Sequence, residues 1–121
     1  MMDDLSPLQA LIHKHCDTLQ REMSDVVAAF EAWEREPSNA QFSRDAARSA
    51  VHKIKGSSGT IGFSDISETA QKIETRLKLS DPDDLLAMRD ELLDEYSSLR
   101  TLIAQISPQQ SSLYHVHLQG R

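Results

Sequence analysis

Aromatic residues make up only 5% of this chain, so whatever core it builds must be aliphatic. Glycine and proline are also scarce, with four of each, which removes the turn punctuation that many short strands would need. Lys and Arg number 13 against 19 Asp and Glu, a formal charge of −6. That balance argues against broad nucleic-acid binding, because a phosphate backbone demands a basic surface. No apolar run approaches the length of a membrane span, and no basic-then-apolar signal pattern opens the sequence. The one cysteine, Cys16, cannot form an internal disulfide, which suits a reducing cytoplasm. What is present is 121 residues, one domain's worth, with 39% hydrophobic side chains drawn chiefly from Leu, Ile, Val and Ala.

Those aliphatic residues fall at helical spacing. Leu8, Ile12, Cys16, Leu19, Met23, Val26, Phe30 and Trp33 recur by threes and fours, one apolar stripe of a first helix with Trp33 in the core at its end. Ser6 suits its N-cap and Pro7 its first position, while Pro37 marks the stop. Roughly 28 residues would span about 42 Å, which leaves room for a kink near Ser24 and Asp25. A second helix is expected from about Asn39, carrying Phe42, Ala46, Ala50, Val51 and Ile54 into a glycine-rich run. The third begins near Asp65, with Asp65 and Glu68 in capping-box spacing and a stripe of Phe63, Ile66, Ala70, Ile73 and Leu77. Ser80 or Asp81 caps the fourth, Pro82 opens it, and Asp83 and Asp84 favour its positive end. Leu85, Met88, Leu92, Tyr96, Leu99, Ile103 and Ile106 then repeat at the same spacing. The expectation is an all-α, up-down antiparallel four-helix bundle over residues 1–107, with a flexible or loosely docked tail over 108–121.

Chemistry concentrates between Val51 and Gly62. On a helical wheel Phe42, Ala46, Ala50 and Ile54 define the core face, and His52 lies nearly opposite, which predicts an exposed imidazole. Arg48 and Lys55 are its neighbours on the same surface. Gly56 and Gly59 follow in the same column. Two glycines inside a helix cost roughly 1 kcal/mol each relative to Ala, so the helix is either ending there or making room for something to approach. Lys55 can set a positive charge against phosphoryl oxygens. No second nucleophile, metal cage or nucleotide-binding loop accompanies them. The reaction these parts permit is attack by imidazole on a phosphorus atom that another protein holds activated.

His52, Lys55, Gly56, Ser57, Ser58 and Gly59, with Gly62 beyond, resemble the histidine phosphotransfer (HPt) family, whose motif reads His-x-x-Lys-Gly followed by small residues and a further Gly. The likeness extends in helix order from about Leu8 to Ile106 and is residue-specific over about 52–77. It implies that His52 is the phosphoacceptor and Lys55 the cation that stabilises the phosphoryl group. The family places a carboxylate or amide on the next helix against the other ring nitrogen, and Glu74 is the match. The wheel agrees, since Glu74 borders the apolar stripe about 60° from its centre. A carboxylate there fixes the tautomer and sharpens the nucleophile. Where a dimerising histidine kinase would carry an acid directly after its histidine, this chain has Lys53, which argues against autophosphorylation.

The expected function is therefore a phosphorelay intermediary, not an enzyme with its own ATP site. It would take a phosphoryl group from a receiver-domain aspartate of a hybrid sensor kinase and pass it to a response regulator. Arg48, Lys53, Gly56 and Gly59 would meet that partner. No cofactor is expected on the chain, any Mg²⁺ belonging to the receiver, and a cytoplasmic monomer without nucleic-acid or membrane contacts is expected. Two other readings stay open: the phosphoacceptor domain of a chemotaxis-type kinase, and a helical adaptor that binds receivers without taking phosphate. His13, His15, Cys16, His115 and His117 invite a metal reading, but His15 cannot share a helical face with His13 and Cys16, and no four-ligand spacing is present.

Overall fold

The computed structural model describes residues 6–38 and 42–115. Helix α1 spans Pro7–Arg35, α2 Arg44–Ile61, α3 Ser64–Leu79, α4 Pro82–Ala87 and α5 Arg89–Ala104, followed by a 3₁₀ turn at Pro108–Gln110. Contacts run α1 to α2, α2 to α3, α3 to α5 and α5 back to α1, which closes an antiparallel four-membered ring. The fourth member of the bundle is α4 and α5 together. Among the described residues there is no strand, and no helix is long and apolar enough to cross a membrane.

α1 starts where its chemistry dictates. Ser6 Oγ accepts from Gln9 N–H and the Gln9 side chain accepts from Ser6 N–H, a reciprocal cap with Pro7 at the first helical position. The helix then runs unbroken to Arg35, so nothing interrupts it at Ser24 and Asp25. Every stripe residue from Ile12 to Trp33 is buried, and Leu8 packs partly against the same core. The interruption comes in the fourth member instead. At Met88 (φ −103°, ψ 19°) the chain leaves one helix and enters the next, although the apolar spacing from Leu85 to Leu92 continues through it.

The second helix departs from its expected start. Asn39 lies outside the described residues, and the helix begins only after Ser43, whose Oγ caps Ala46 N–H. Phe42 therefore precedes α2, and its ring stacks on Trp33 with centroids 4.7 Å apart. Capping at Ser43 seats Ala47, Val51, Ile54, Ser58 and Ile61 in the core, while Ala46 is exposed and Ala50 half-buried. Ser58 can occupy a fully buried place because its Oγ donates to Ile54 O at 2.6 Å. Helix α2 ends at Gly62, whose φ of 92° is a left-handed conformation that glycine adopts freely.

α3 has its predicted stripe, with Phe63, Ile66, Ala70, Ile73 and Leu77 all buried. Its first turn has no side-chain cap, because Phe63 occupies the N-cap position and Asp65 already lies inside the helix. Asp81 caps α4 by accepting from Asp84 N–H. The stretch after Ile106 packs on the bundle as far as it is described. Ser111 Oγ donates to Ile61 O at 2.6 Å, Ser112 N–H donates to Gly62 O, and Gln9 Nε2 donates to Tyr114 O. Tyr114 is buried, and residues 116–121 lie outside the described residues.

Candidate functional site

The site grows from the seam between α2 and α3. Core residues Val51, Ile54 and Ser58 fix one face of α2, and Ile66, Ala70 and Ile73 fix the matching face of α3. What is left for the seam itself is a polar column from each helix. Burying an aliphatic side chain of this size contributes about 1.5–3 kcal/mol, so the two columns are held in place by several such anchors on either side. His52 rises from the α2 column with 64% of its side chain exposed. The imidazole is thus anchored at its backbone and open at its ring.

Glu74 meets it from α3. Its Oε2 lies 2.6 Å from His52 Nδ1, and its Oε1 lies 3.0 Å from Lys55 Nζ. The carboxylate is mostly buried, at 13% exposure, and Lys55 keeps 29%. Burial pushes the Glu74 carboxyl up, but hydrogen bonds and charge from Lys55 and His52 outweigh it and hold the group below the ordinary glutamate range. An ionised carboxylate can only accept, so Nδ1 carries the proton and donates it. The nitrogen with the free lone pair is then Nε2. One acidic residue thus contacts both the ring and the neighbouring cation.

The two helical glycines have different surroundings. A Cβ built on Gly56 would meet nothing within 4 Å, whereas one on Gly59 would lie 3.1 Å from Ser67 Oγ. Both border a hollow of about 610 Å³ beside Lys55, walled on the α3 side by Ser67, Gln71 and Lys72. Ser67 carries no apolar-stripe signal, and only the helix pairing reveals it: its Oγ donates to Lys55 O at 3.1 Å. Arg48 is half-buried one turn before His52, and Lys53 is exposed on a different face of α2. The structure thus brings the expected His52, Lys55 and Glu74 into one cluster and sets Lys53, expected at the partner surface, to the side; Ser67 was not among the expected residues.

At the far end of the chain, His13 Nε2 hydrogen-bonds Tyr114 Oη at 3.0 Å and the Tyr114 ring packs edge-on to His115. Cys16 is a buried free thiol. Among the described residues no three His, Cys, Asp or Glu side chains converge on a point that could hold a metal ion, and His117 lies outside them.

Neither the curated proteins nor the solved structures gave a match to this chain. A family model did: the Hpt domain model matches residues 10–107. That span takes in α2 to α5 whole and all of α1 but its first turn, and with them the His52–Glu74–Lys55 cluster. The match and the bundle agree, and the chain belongs to the Hpt domain family, whose chemistry is histidine phosphotransfer in two-component signalling.

Proposed function

We propose that His52 is the phosphoacceptor and that Nε2 is the nitrogen that takes the group. The observation that carries this reading is the 2.6 Å contact of Nδ1 with Glu74 on an otherwise open ring. The Nε2 lone pair attacks the phosphorus of a receiver's aspartyl phosphate, the aspartyl O–P bond breaks, and the carboxylate leaves with its electron pair. Because Nδ1 keeps its proton, the phosphorylated ring bears positive charge, and the ionised Glu74 beside it offsets that charge. The reverse step delivers the group to a second aspartate, such as that of a response regulator.

Lys55 supplies the cation. Its amine rests on Glu74 and is held on a flexible four-carbon stem, so it can turn toward phosphoryl oxygens once the group arrives. Gly56 leaves open space one turn from the imidazole, and with Gly59 it lets a partner's loops come close. Arg48 and Lys53 belong to the partner surface in this reading. The Mg²⁺ of the reaction is assigned to the receiver and no cofactor to this chain. A cytoplasmic monomer suits a buried, unpaired cysteine and transient partners.

Incubating the protein with a receiver carrying ³²P-aspartyl phosphate tests the reading. Label that is lost in acid, is stable in alkali and disappears in His52→Gln supports it. Absence of label in the wild-type protein, or label retained in the variant, overturns it.

A further inference from the structure

The interlock between Ser67 and Gly59 has a consequence for His52 itself. Ser67 and Glu74 are seven residues apart on α3, two turns or about 10 Å along one column. Gly59 and His52, also seven residues apart, stand at the matching levels of α2. Glu74 reaches the two side chains of Lys55 and His52, and Ser67 reaches the backbone carbonyl of Lys55. That carbonyl is reachable because residue 59 has no side chain, since a Cβ there would sit 3.1 Å from Ser67 Oγ. A methyl group at 59 would press on the Ser67 hydroxyl, which would have to give by a few tenths of an ångström where it bonds the Lys55 carbonyl.

We infer that Ser67 is a positioning residue for phosphotransfer: its bond to the Lys55 carbonyl, seated against Gly59, sets the height and separation of α3 so that Glu74 meets His52 Nδ1. The inference rests on His52 being the acceptor but adds what holds the acceptor's partner in place. Apolar anchors such as Ile66 and Ile73 hold α3 against the core, yet dispersion contacts are non-directional. A hydrogen bond with a fixed acceptor is directional, and of the α3 residues only Ser67 and Glu74 bond across this seam among the described residues. Gly59 therefore has a second role besides opening the surface.

The test uses the full chain in Ser67→Ala, Ser67→Thr and Gly59→Ala forms. The first readout is the His52 Nδ1–H proton and ring ¹⁵N shifts, which report the bond to Glu74 without any phosphate. The second is the rate of phosphorylation by phosphoramidate, in which Nε2 attacks phosphorus, the P–N bond breaks and ammonia leaves, so no partner docking enters. Ser67→Ala is expected to weaken the Nδ1–H signal and slow phosphorylation severalfold, Gly59→Ala to do both more strongly, and Ser67→Thr, which keeps the hydroxyl, to stay near wild type. If Ser67→Ala keeps the wild-type Nδ1–H signal, the inference is wrong even if that variant melts earlier, because a purely structural residue would behave that way. Failure of the wild-type protein to react with phosphoramidate at His52 would count against the acceptor assignment alone, since the NMR comparison stands without it.

Discussion

Glu74 and His52 face each other across the α2–α3 seam, 2.6 Å from Oε2 to Nδ1, with the carboxylate mostly buried and the ring mostly exposed. The acid is thereby fixed while the base stays reachable. Replacing Glu74 with Ala removes the acceptor of the Nδ1 proton. We expect phosphoryl acceptance to slow by about tenfold or less, in line with a hydrogen bond worth roughly 1–1.5 kcal/mol. Ring ¹⁵N shifts should move from a single tautomer toward a mixture. A variant that keeps both the wild-type rate and the wild-type shifts would make Glu74 a bystander.

His52→Gln should abolish phosphorylation and leave the bundle standing. At 64% exposure the ring contributes little to packing, and the loss is limited to its one hydrogen bond to Glu74, about 0.5–1.5 kcal/mol. Circular dichroism and thermal melting check it, and a large loss of helix would put His52 in the core.

Lys55→Ala acts on two partners at once. It removes the cation proposed for the phosphoryl oxygens and leaves Glu74 with His52 as its remaining partner. The expected result is slower transfer and a shorter phosphohistidine lifetime in a folded protein. Measured hydrolysis and transfer rates equal to wild type would remove Lys55 from the chemistry.

Glu74 also ties stability to pH. Its folded-state carboxyl is held below the ordinary glutamate range, so the unfolded chain takes up a proton before the folded one does. The contribution is present above about pH 4.3 and lost as pH falls through the lower folded-state value. Glu74→Gln has no such titration. Denaturant unfolding at pH 7 and pH 3 should show the gap between wild type and Glu74→Gln shrinking at the lower pH. A gap that is constant across that window would contradict the depressed carboxyl.

Much of this was legible in the residues before any coordinates. The stripes of α1 and α3 were complete because each apolar side chain recurs without competition from polar core positions. The face of α2 was not, because Ala46 and Ala47 are alike in character and only the cap at Ser43 decides which is buried. Ser58, a buried serine whose hydroxyl is spent on Ile54 O, is invisible to a search for apolar residues. Helix α4 looked continuous with α5 because no Gly or Pro lies between Asp83 and Ser107. Residues after Pro108 looked like a tail because docking through Ser111 and Tyr114 depends on distant backbone atoms. His52 and Lys55 were readable from their local spacing on α2, and Glu74 from the resemblance to the HPt pattern, with which its place at the border of the α3 stripe agrees. Ser67 needed the pairing of two helices, which no single segment encodes.

A partner's arrival should depend on the charge around His52. Between Gln41 and Gly62 the charges are Arg44, Arg48, Lys53 and Lys55 against Asp45, a formal +3 within a chain of −6 overall, so the remainder carries −9. Arg44 is engaged two turns from His52, its guanidinium bonded to Ser80 O and 3.8 Å from Asp45, which leaves Arg48, Lys53 and the Glu74-paired Lys55 nearest to His52 on α2. Lys78, exposed one turn beyond Glu74 on α3, adds positive charge to the neighbouring helix. A receiver's phosphorylation pocket is rich in carboxylates, so an opposed basic patch on an acidic protein should orient the encounter as well as attract it. Reversing Arg48 to Glu places negative charge one turn from His52 and should lower the association rate. The loss should shrink as salt rises past about 0.15 M, where the screening length falls to about 8 Å. Phosphoramidate labelling of the same variant should stay within about twofold of wild type, because Arg48 makes no contact with the ring in this reading. Stopped-flow association with a receiver at low and high salt decides the matter: equal rates for Arg48→Glu and wild type at low salt would make the patch ordinary surface charge.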